Sequence, residues 1–197
     1  MTKLAVVFEG WEGYQSSLVG AVRPLTVEHL TWRPAPQRRS VGEIVRHVAL
    51  GRISWFARMG APGMDAVAAD VPVWATDEDG SAHAVEDAVP ADDPQVLRGW
   101  LETSWGPIRR VLDEWTVADL ATTYPHRWQG RAYAITRQWT IWRILAHDLH
   151  HGGQLAMMLG MLDVEAFELR ALGGHIVLPG LATAAEGSTT DLERPET

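Results

Sequence analysis

One stretch constrains this chain more than any other: RQWTIWRILAHDLHHGGQLAMMLGML, residues 137 to 162. Its apolar residues recur at helical spacing, and Thr136 stands ahead of it as an N-cap, so it is predicted as one long helix. With about 100° per residue and His147 set at zero, His151 falls near 40° and Gln154 near −20°. Ile144 falls near 60°, and Thr140 and Met158 near 20°. The two histidines therefore share a stripe with apolar residues and are expected to point inward. His150, about 60° away on the other side, and Asp148, about 100° away, are placed on the flanks as supporting residues.

The remaining chain supplies three more long helices. Leu4, Val7, Phe8, Trp11, Gln15, Leu18 and Val22 predict a helix over 4–23. Thr26 can cap a short turn to Leu30, and Pro24, Pro34 and Pro36 forbid a longer helix there. Ser40 and Glu43 form a capping box that opens a second helix from Val41 to about Met59. One face of it carries Ile44, His47, Gly51, Ser54, Trp55 and Arg58, with His47 beside a glycine that leaves space. Residues 60–92 lack periodicity and are predicted as a long connection over one end. A third helix runs from Pro94 to Glu114, capped by Asp92 or Asp93 and kinked at Gly106-Pro107. Residues 116–120 predict a helical turn, and Thr122 to Ile135 a hairpin around Gln129-Gly130. After the last long helix, a short helical piece from Glu165 to Leu172 and an extended run at 175–180 are expected.

This pattern is that of an all-α chain, a four-helix bundle with up-down order, long connections and a small β-hairpin decoration before the last helix. At 197 residues and 46% hydrophobic, one domain over 1–180 is expected. The composition of 181–197 predicts a disordered tail.

Composition narrows the chemistry. There is no cysteine, so disulfides, thiolate metal sites and a cysteine nucleophile are excluded. A metal must be held by His, Asp or Glu. The net charge is −8 without any block of Lys or Arg, which argues against a nucleic-acid partner. No signal peptide is read at the N-terminus and no run can span a bilayer, so a cytoplasmic protein without a membrane partner is expected. Ten Trp against three Phe and three Tyr point to ring edges that need polar partners, as in a pocket lining, although any one of them also serves as core filler.

Two histidines at i, i+4 on one helix face can bite one ion. His47 is the third candidate, the only other histidine central to a predicted helix face. Each alone is equally a satisfied core histidine. Together at one buried spot, His47, His147 and His151 would repel when protonated and compete for donors when neutral, and a divalent metal resolves both. Zinc is the default, with nickel and ferrous iron also compatible with imidazole. With no carboxylate ligand the ion keeps strong Lewis acidity and an open position for a water or a substrate thiol, so no protein nucleophile is expected. Gln154, Trp55, Arg58 and Arg143 are the candidate substrate-binding residues. Gln154 reads equally as a polar edge of the stripe, and each arginine as a solvated flank. His29, His83, His126 and His175 fall in loops or short elements; His126 is placed near a pocket entrance rather than as a ligand.

Three features together resemble the DinB/YfiT-like family of metal-dependent proteins. The first is LTVEHLTWRPAPQRRSVGEIVRHVA, with Trp32-Arg33-Pro34 ahead of the capped helix that holds His47. The second is the segment with Trp128, Gly130 and Tyr133, followed by TRQWTIWRILAHDLHHGGQL. The third is the His147-to-His151 spacing ending in Gly153-Gln154. The resemblance covers most of residues 5–162. It implies a four-helix bundle with a triad of His47, His147 and His151 around zinc or nickel, and a homodimer. Relatives in that family include transferases that attach low-molecular-weight thiols to electrophiles and a mycothiol-dependent isomerase, and others protect cells under stress from reactive compounds. Many members carry Arg directly after the last ligand, where this chain has Gly152; that bears on the substrate rather than on the metal.

The expected function is therefore a thiol S-transferase of detoxification that activates a low-molecular-weight thiol at the three-histidine site. A metal-dependent hydrolase is the alternative within enzymes. A non-catalytic protein that sequesters a small molecule in a Trp-rich pocket is the alternative outside them, as is a stress-induced bundle with a structural metal.

Overall fold

The computed structural model describes residues 1–78 and 80–165. The expectations for a short helical piece up to Leu172, for the run at 175–180, for His175 and for the tail at 181–197 lie, from residue 166 on, outside the described residues. Within them the chain is mostly helical with two small antiparallel sheets.

Local signals set most boundaries. Helices α1 (Leu4–Val7) and α2 (Gly10–Val22) replace the single first helix expected. The break falls at Phe8-Glu9, after two consecutive valines and before Gly10, where helix propensity is weakest. Leu4 N–H donates to Trp115 O at 3.1 Å and pins α1 to the far end of the chain's third long helix. Helix α3 (Val27–Thr31) is capped by Thr26, with His29 Nδ1 accepting back from Thr26 N–H at 3.3 Å. Helix α4 (Val41–Arg58) opens with the expected capping box: Glu43 N–H donates to Ser40 Oγ at 3.2 Å and Ser40 N–H to Glu43 Oε2 at 2.8 Å.

The connection after α4 is less irregular than expected. It folds into α5 (Met64–Ala69), a hairpin of β1 (Trp74–Thr76) and β2 (Ala82–Ala84), and a 3-10 turn at Glu86–Ala88. Each piece is shorter than one reading of the period, so no pattern announces it. Helix α6 (Pro94–Glu114), capped by Asp93, runs unbroken through Pro107. A 3-10 turn (Val117–Ala121) leads to β3 (Thr123–Trp128) and β4 (Arg131–Thr136). They pair around Gln129 and Gly130, both at positive φ, the two-residue turn that matches strand twist. Helix α7 (Arg137–Met161) follows, its first turn capped by Thr136 Oγ1 accepting from Trp139 N–H at 3.1 Å. No helix among the described residues is long and apolar enough to cross a membrane.

Helix α4 is the centre of the packing, against α6 on one side and α7 on another. Two apolar clusters fill the interior. One gathers Leu18, Val45, Val48, Leu155 and Leu159; the other Phe56, Ile53, Trp105, Ile108, Ile141 and Ile144. On α2, α4 and α7 the same thing separates them: a buried polar layer. Asp148 accepts from Arg52 Nε at 3.0 Å, from Arg52 Nη2 at 2.8 Å and from Trp11 Nε1 at 2.9 Å. Gln15 Oε1 accepts from Arg52 Nη1 at 2.6 Å, and Gln15 Nε2 donates to Leu101 O at 3.0 Å. Arg52 and Asp148 are both fully buried.

Candidate metal centre

The surface of α4 is buried nearly all round. Apart from Ala57, its half-exposed residues are Glu43, His47, Gly51, Trp55 and Arg58, a single stripe at i, i+4 spacing. Helix α7 meets that stripe edge-on. Its buried residues Ile141, Ile144, Asp148, Gly152, Leu155 and Leu159 centre on Asp148, about 100° round from His147. This corrects the expected orientation: Asp148 faces the core, and His147 and His151 lie on the rim beside it. The sequence wheel centred the face on Thr140 and Met158, which are indeed buried, and left out Ile141, Leu155 and Leu159, which move its centre round to Asp148.

The two rims bring the three histidines together. His47 Nε2 and His147 Nε2 are 3.0 Å apart. His151 closes the group, with potential ligand atoms of all three within 4.8 Å of one another. Gly51 leaves room for this approach: a Cβ there would sit 3.1 Å from His147 Cε1, close enough to shift the ring by a few tenths of an ångström. His47 is 26% exposed and His147 21%, so the cluster is reachable from solvent.

Two of the three outer nitrogens define a tautomer. His47 Nδ1–H donates to Glu86 Oε1 at 2.6 Å, because a carboxylate only accepts. His151 Nδ1–H donates to Gln154 Oε1 at 2.8 Å, and Gln154 Nε2 in turn donates to His150 Nε2 at 3.1 Å. Both Nε2 lone pairs are thereby left for the centre. His147 Nδ1 is buried without a hydrogen bond; Asp148 Oδ1, at 3.9 Å, is too far. Burial, outweighing the Gln154 hydrogen bond, pushes the His151 imidazole down to about 4, so it is neutral near pH 7. Burial works to raise the Glu86 carboxyl, but its bonds to His47 and Arg39 bring it down to about 2. Glu86 is thus an anion held by Arg39 on one side and His47 on the other.

These donors fit a divalent ion. The 3.0 Å separation matches the edge of a coordination polyhedron, roughly 3.0–3.4 Å for Zn–N bonds of about 2.0–2.1 Å. The set is all imidazole, with carboxylate and amide partners behind it, the arrangement that orients ligating histidines elsewhere. Sequence reading missed Glu86, which lies 39 residues from His47 in the unpatterned connection. Nothing in its local sequence distinguishes it from Asp87 beside it.

Trp55 and Arg58 lie about two and three turns along α4 from His47, and Arg143 about one turn along α7 from His147. Arg143 lies over Trp55 at 4.6 Å and Trp139 at 5.3 Å, and Arg58 over Trp55 at 4.8 Å. They line a cavity of about 490 Å³ closed by β3 and β4. His126 is part of it, its ring 5.2 Å from that of Trp55. Gln154 stands apart from this cavity and spends both ends of its amide on histidines. At Gly152 a Cβ would lie 1.6 Å from Tyr14 Oη. The space a side chain would fill at that position is taken by the Tyr14 hydroxyl, which donates to Asp148 O at 3.2 Å.

Two solved structures share the fold. A DinB-like protein from Bacillus cereus ATCC 10987 superposes with a TM-score of 0.58 at 16% identity, over 80% of this chain and 91% of that one. A conserved protein from Enterococcus faecalis gives 0.54 at 18% identity, over 80% and 95%. Comparison with curated proteins gave no sequence match. The family model for the DinB superfamily matches residues 11–155, from the first turn of α2 through Leu155, and so takes in all three histidines: this chain belongs to the DinB superfamily.

Proposed function

We propose that this protein is a metal-dependent enzyme that activates a low-molecular-weight thiol for transfer to an electrophilic small molecule, on a single-domain four-helix bundle made by α2, α4, α6 and α7. The observation that carries the reading is the partly exposed trio of imidazoles at one spot, with the outer nitrogens of His47 and His151 committed to Glu86 and Gln154. His47, His147 and His151 hold the ion, zinc first and nickel or ferrous iron after it. A divalent ion in such a set supplies Lewis acidity and lowers the pKa of a thiol or water brought to it.

The chain's own groups do the rest. Glu86 keeps the His47 proton on Nδ1, and Gln154 does the same for His151. His147 must carry its proton on Nδ1 as a ligand, where it faces the Asp148 carboxylate at 3.9 Å. Trp55, Arg58 and Arg143 receive the substrate in the neighbouring cavity. A cytoplasmic setting and a homodimer belong to the same reading. The exposed stripe of Trp142, Leu149 and Met157 on α7 supports the dimer, as a surface for a second copy.

The test is metal analysis of the purified protein followed by assays with several low-molecular-weight thiols and electrophiles. Thiol consumption that requires metal and disappears in His151→Ala supports the reading. Ester or amide cleavage without any thiol would replace it by the hydrolase. Tight small-molecule binding with no turnover would replace it by sequestration.

A further inference from the structure

We infer that the cavity between α4, α7 and the β3–β4 hairpin binds an aromatic carboxylate, with its negative charge between Arg58 and Arg143. This rests on the small-molecule reading of the groove given above and adds the chemical class.

The hairpin is built for a flat apolar body. Tyr124, His126 and Trp128 alternate along one face of β3, and their partners on β4 are Ile135, Tyr133 and Arg131. That face looks onto Trp55 and Trp139 of the helices. His126, Trp55 and Trp139 meet ring to ring, but the wall stays open to solvent: Trp128 is 56% exposed, Tyr133 39% and Trp139 42%, around the 490 Å³ cavity. A row of aromatic side chains left half-wet around a hollow of that size marks a ligand site rather than core.

The charge follows from the arginines. Arg58 is aimed by its Nε–H, which donates to Ala82 O at 2.9 Å. Arg143 comes from the opposite helix, and both guanidiniums lie within 5 Å of the same Trp55 ring. Neither forms an ion pair with a carboxylate among the described residues. Burial holds the Arg58 guanidinium below its ordinary value, with Asp77 opposing and Arg143 adding to the effect. Two like charges collected at one aromatic wall are relieved by an anion that accepts from both. Asp77 also lines the cavity, which disfavours a second negative charge and selects a monoanion. Trp139 and Arg143 line the depression that leads to His147 and His150, so a bound ring extends toward the histidine cluster.

The test is calorimetric titration of the full-length protein with naphthoate, once stripped of metal with chelator and once loaded with zinc. Naphthoate is expected to bind both forms. Naphthamide, with the same ring and no charge, should bind about tenfold more weakly or worse, and Arg143→Gln should weaken naphthoate by about tenfold or more. Arg143 is exposed, so that variant should keep its circular dichroism and melting point, and Arg98→Gln on α6 should bind like the parent. His147→Ala should lose zinc and keep naphthoate. Equal affinity of parent and Arg143→Gln overturns the inference, as does binding confined to the zinc-loaded protein, which would put the carboxylate on the ion. If the thiol assays fail while these titrations hold, the catalytic reading falls and the anion site stands.

Discussion

His147 and Asp148 are neighbours in the chain and belong to two different polar clusters, one on the rim of α7 and one beneath it. The buried cluster is closed. Arg52, Asp148, Gln15 and Trp11 satisfy one another and a backbone carbonyl. The rim cluster is open. The outer nitrogens of His47 and His151 are anchored, yet His147 Nδ1 makes no hydrogen bond and Nε2 of His47 and His147 meet only each other, at 3.0 Å. Closed networks of this kind specify packing, whereas an anchored but unsatisfied set of lone pairs specifies a ligand. The difference gives a criterion for separating structural from functional polar groups one residue apart.

The largest expected effect breaks the closed side. Asp148→Ala leaves the Arg52 guanidinium fully buried and unpaired, and should cost roughly 3–5 kcal/mol in denaturant unfolding. Because Asp148 also faces His147 Nδ1 at 3.9 Å, the metal affinity of the remaining folded protein should fall by no more than the about 10–100-fold of a supporting partner. A variant of parental stability that has lost its metal would erase the distinction, making Asp148 part of the site.

The open side should respond in reverse. His151→Ala removes one of the three proposed ligands and should lower zinc affinity by more than about 100-fold, the upper range for perturbing only a supporting partner. Its stability without metal should stay near the parent's, because His151 is half-buried on the rim. Competition with a chromogenic chelator reads the first and thermal melting the second. A large loss of metal-free stability would show the histidines to be packing residues.

How much of this was legible in the sequence depended on whether a residue's role is local. Ser40 with Glu43, Thr26, Thr136 and the Gln129-Gly130 turn all act within four residues, and the structure has each where expected. The i, i+4 spacing of His147 and His151 was readable for the same reason, and His47, 100 residues away, because it is the other histidine central to a predicted helix face. What escaped was contact between distant segments. Glu86 reaches His47 from a 3-10 turn of three residues that no periodicity reveals. Asp148 looked like a flank because a polar residue at the centre of a buried face contradicts the hydrophobic pattern that defines that face. Its partner Arg52, fully buried on α4, is equally invisible to that pattern.

A smaller effect separates the ligands from their supports. Glu86→Gln keeps a hydrogen-bond acceptor for His47 Nδ1 but removes the charge, and should weaken zinc binding by about 10–100-fold. It also frees Arg39, so the comparison needs Arg39→Gln beside it. If Glu86 acts through His47, Glu86→Gln exceeds Arg39→Gln in metal affinity while the two cost similar stability. Equal effects on metal would mean that the Arg39–Glu86 pair merely holds the connection in place.

The smallest effect is in pH, and its two parts fall in different windows. The His151 imidazole titrates at about 4 in the folded protein against about 6.5 in an unfolded chain, so the unfolded state binds the extra proton first. Metal-free stability is then full above pH 6.5 and declines as pH falls toward 4. The carboxylates act lower. Glu86, at about 2, and Asp148, which burial raises but Arg52 holds below the ordinary carboxylate range, bind protons more weakly folded than unfolded. Their contribution is present above the unfolded value of about 4 and is lost as pH falls through the folded values. Urea titrations from pH 8 to pH 3 should therefore show two descending stretches, and His151→Ala should flatten only the upper one. Flattening of the lower stretch instead would mean that His151 and the buried layer titrate together, and that the rim and the core beneath it are one network rather than two.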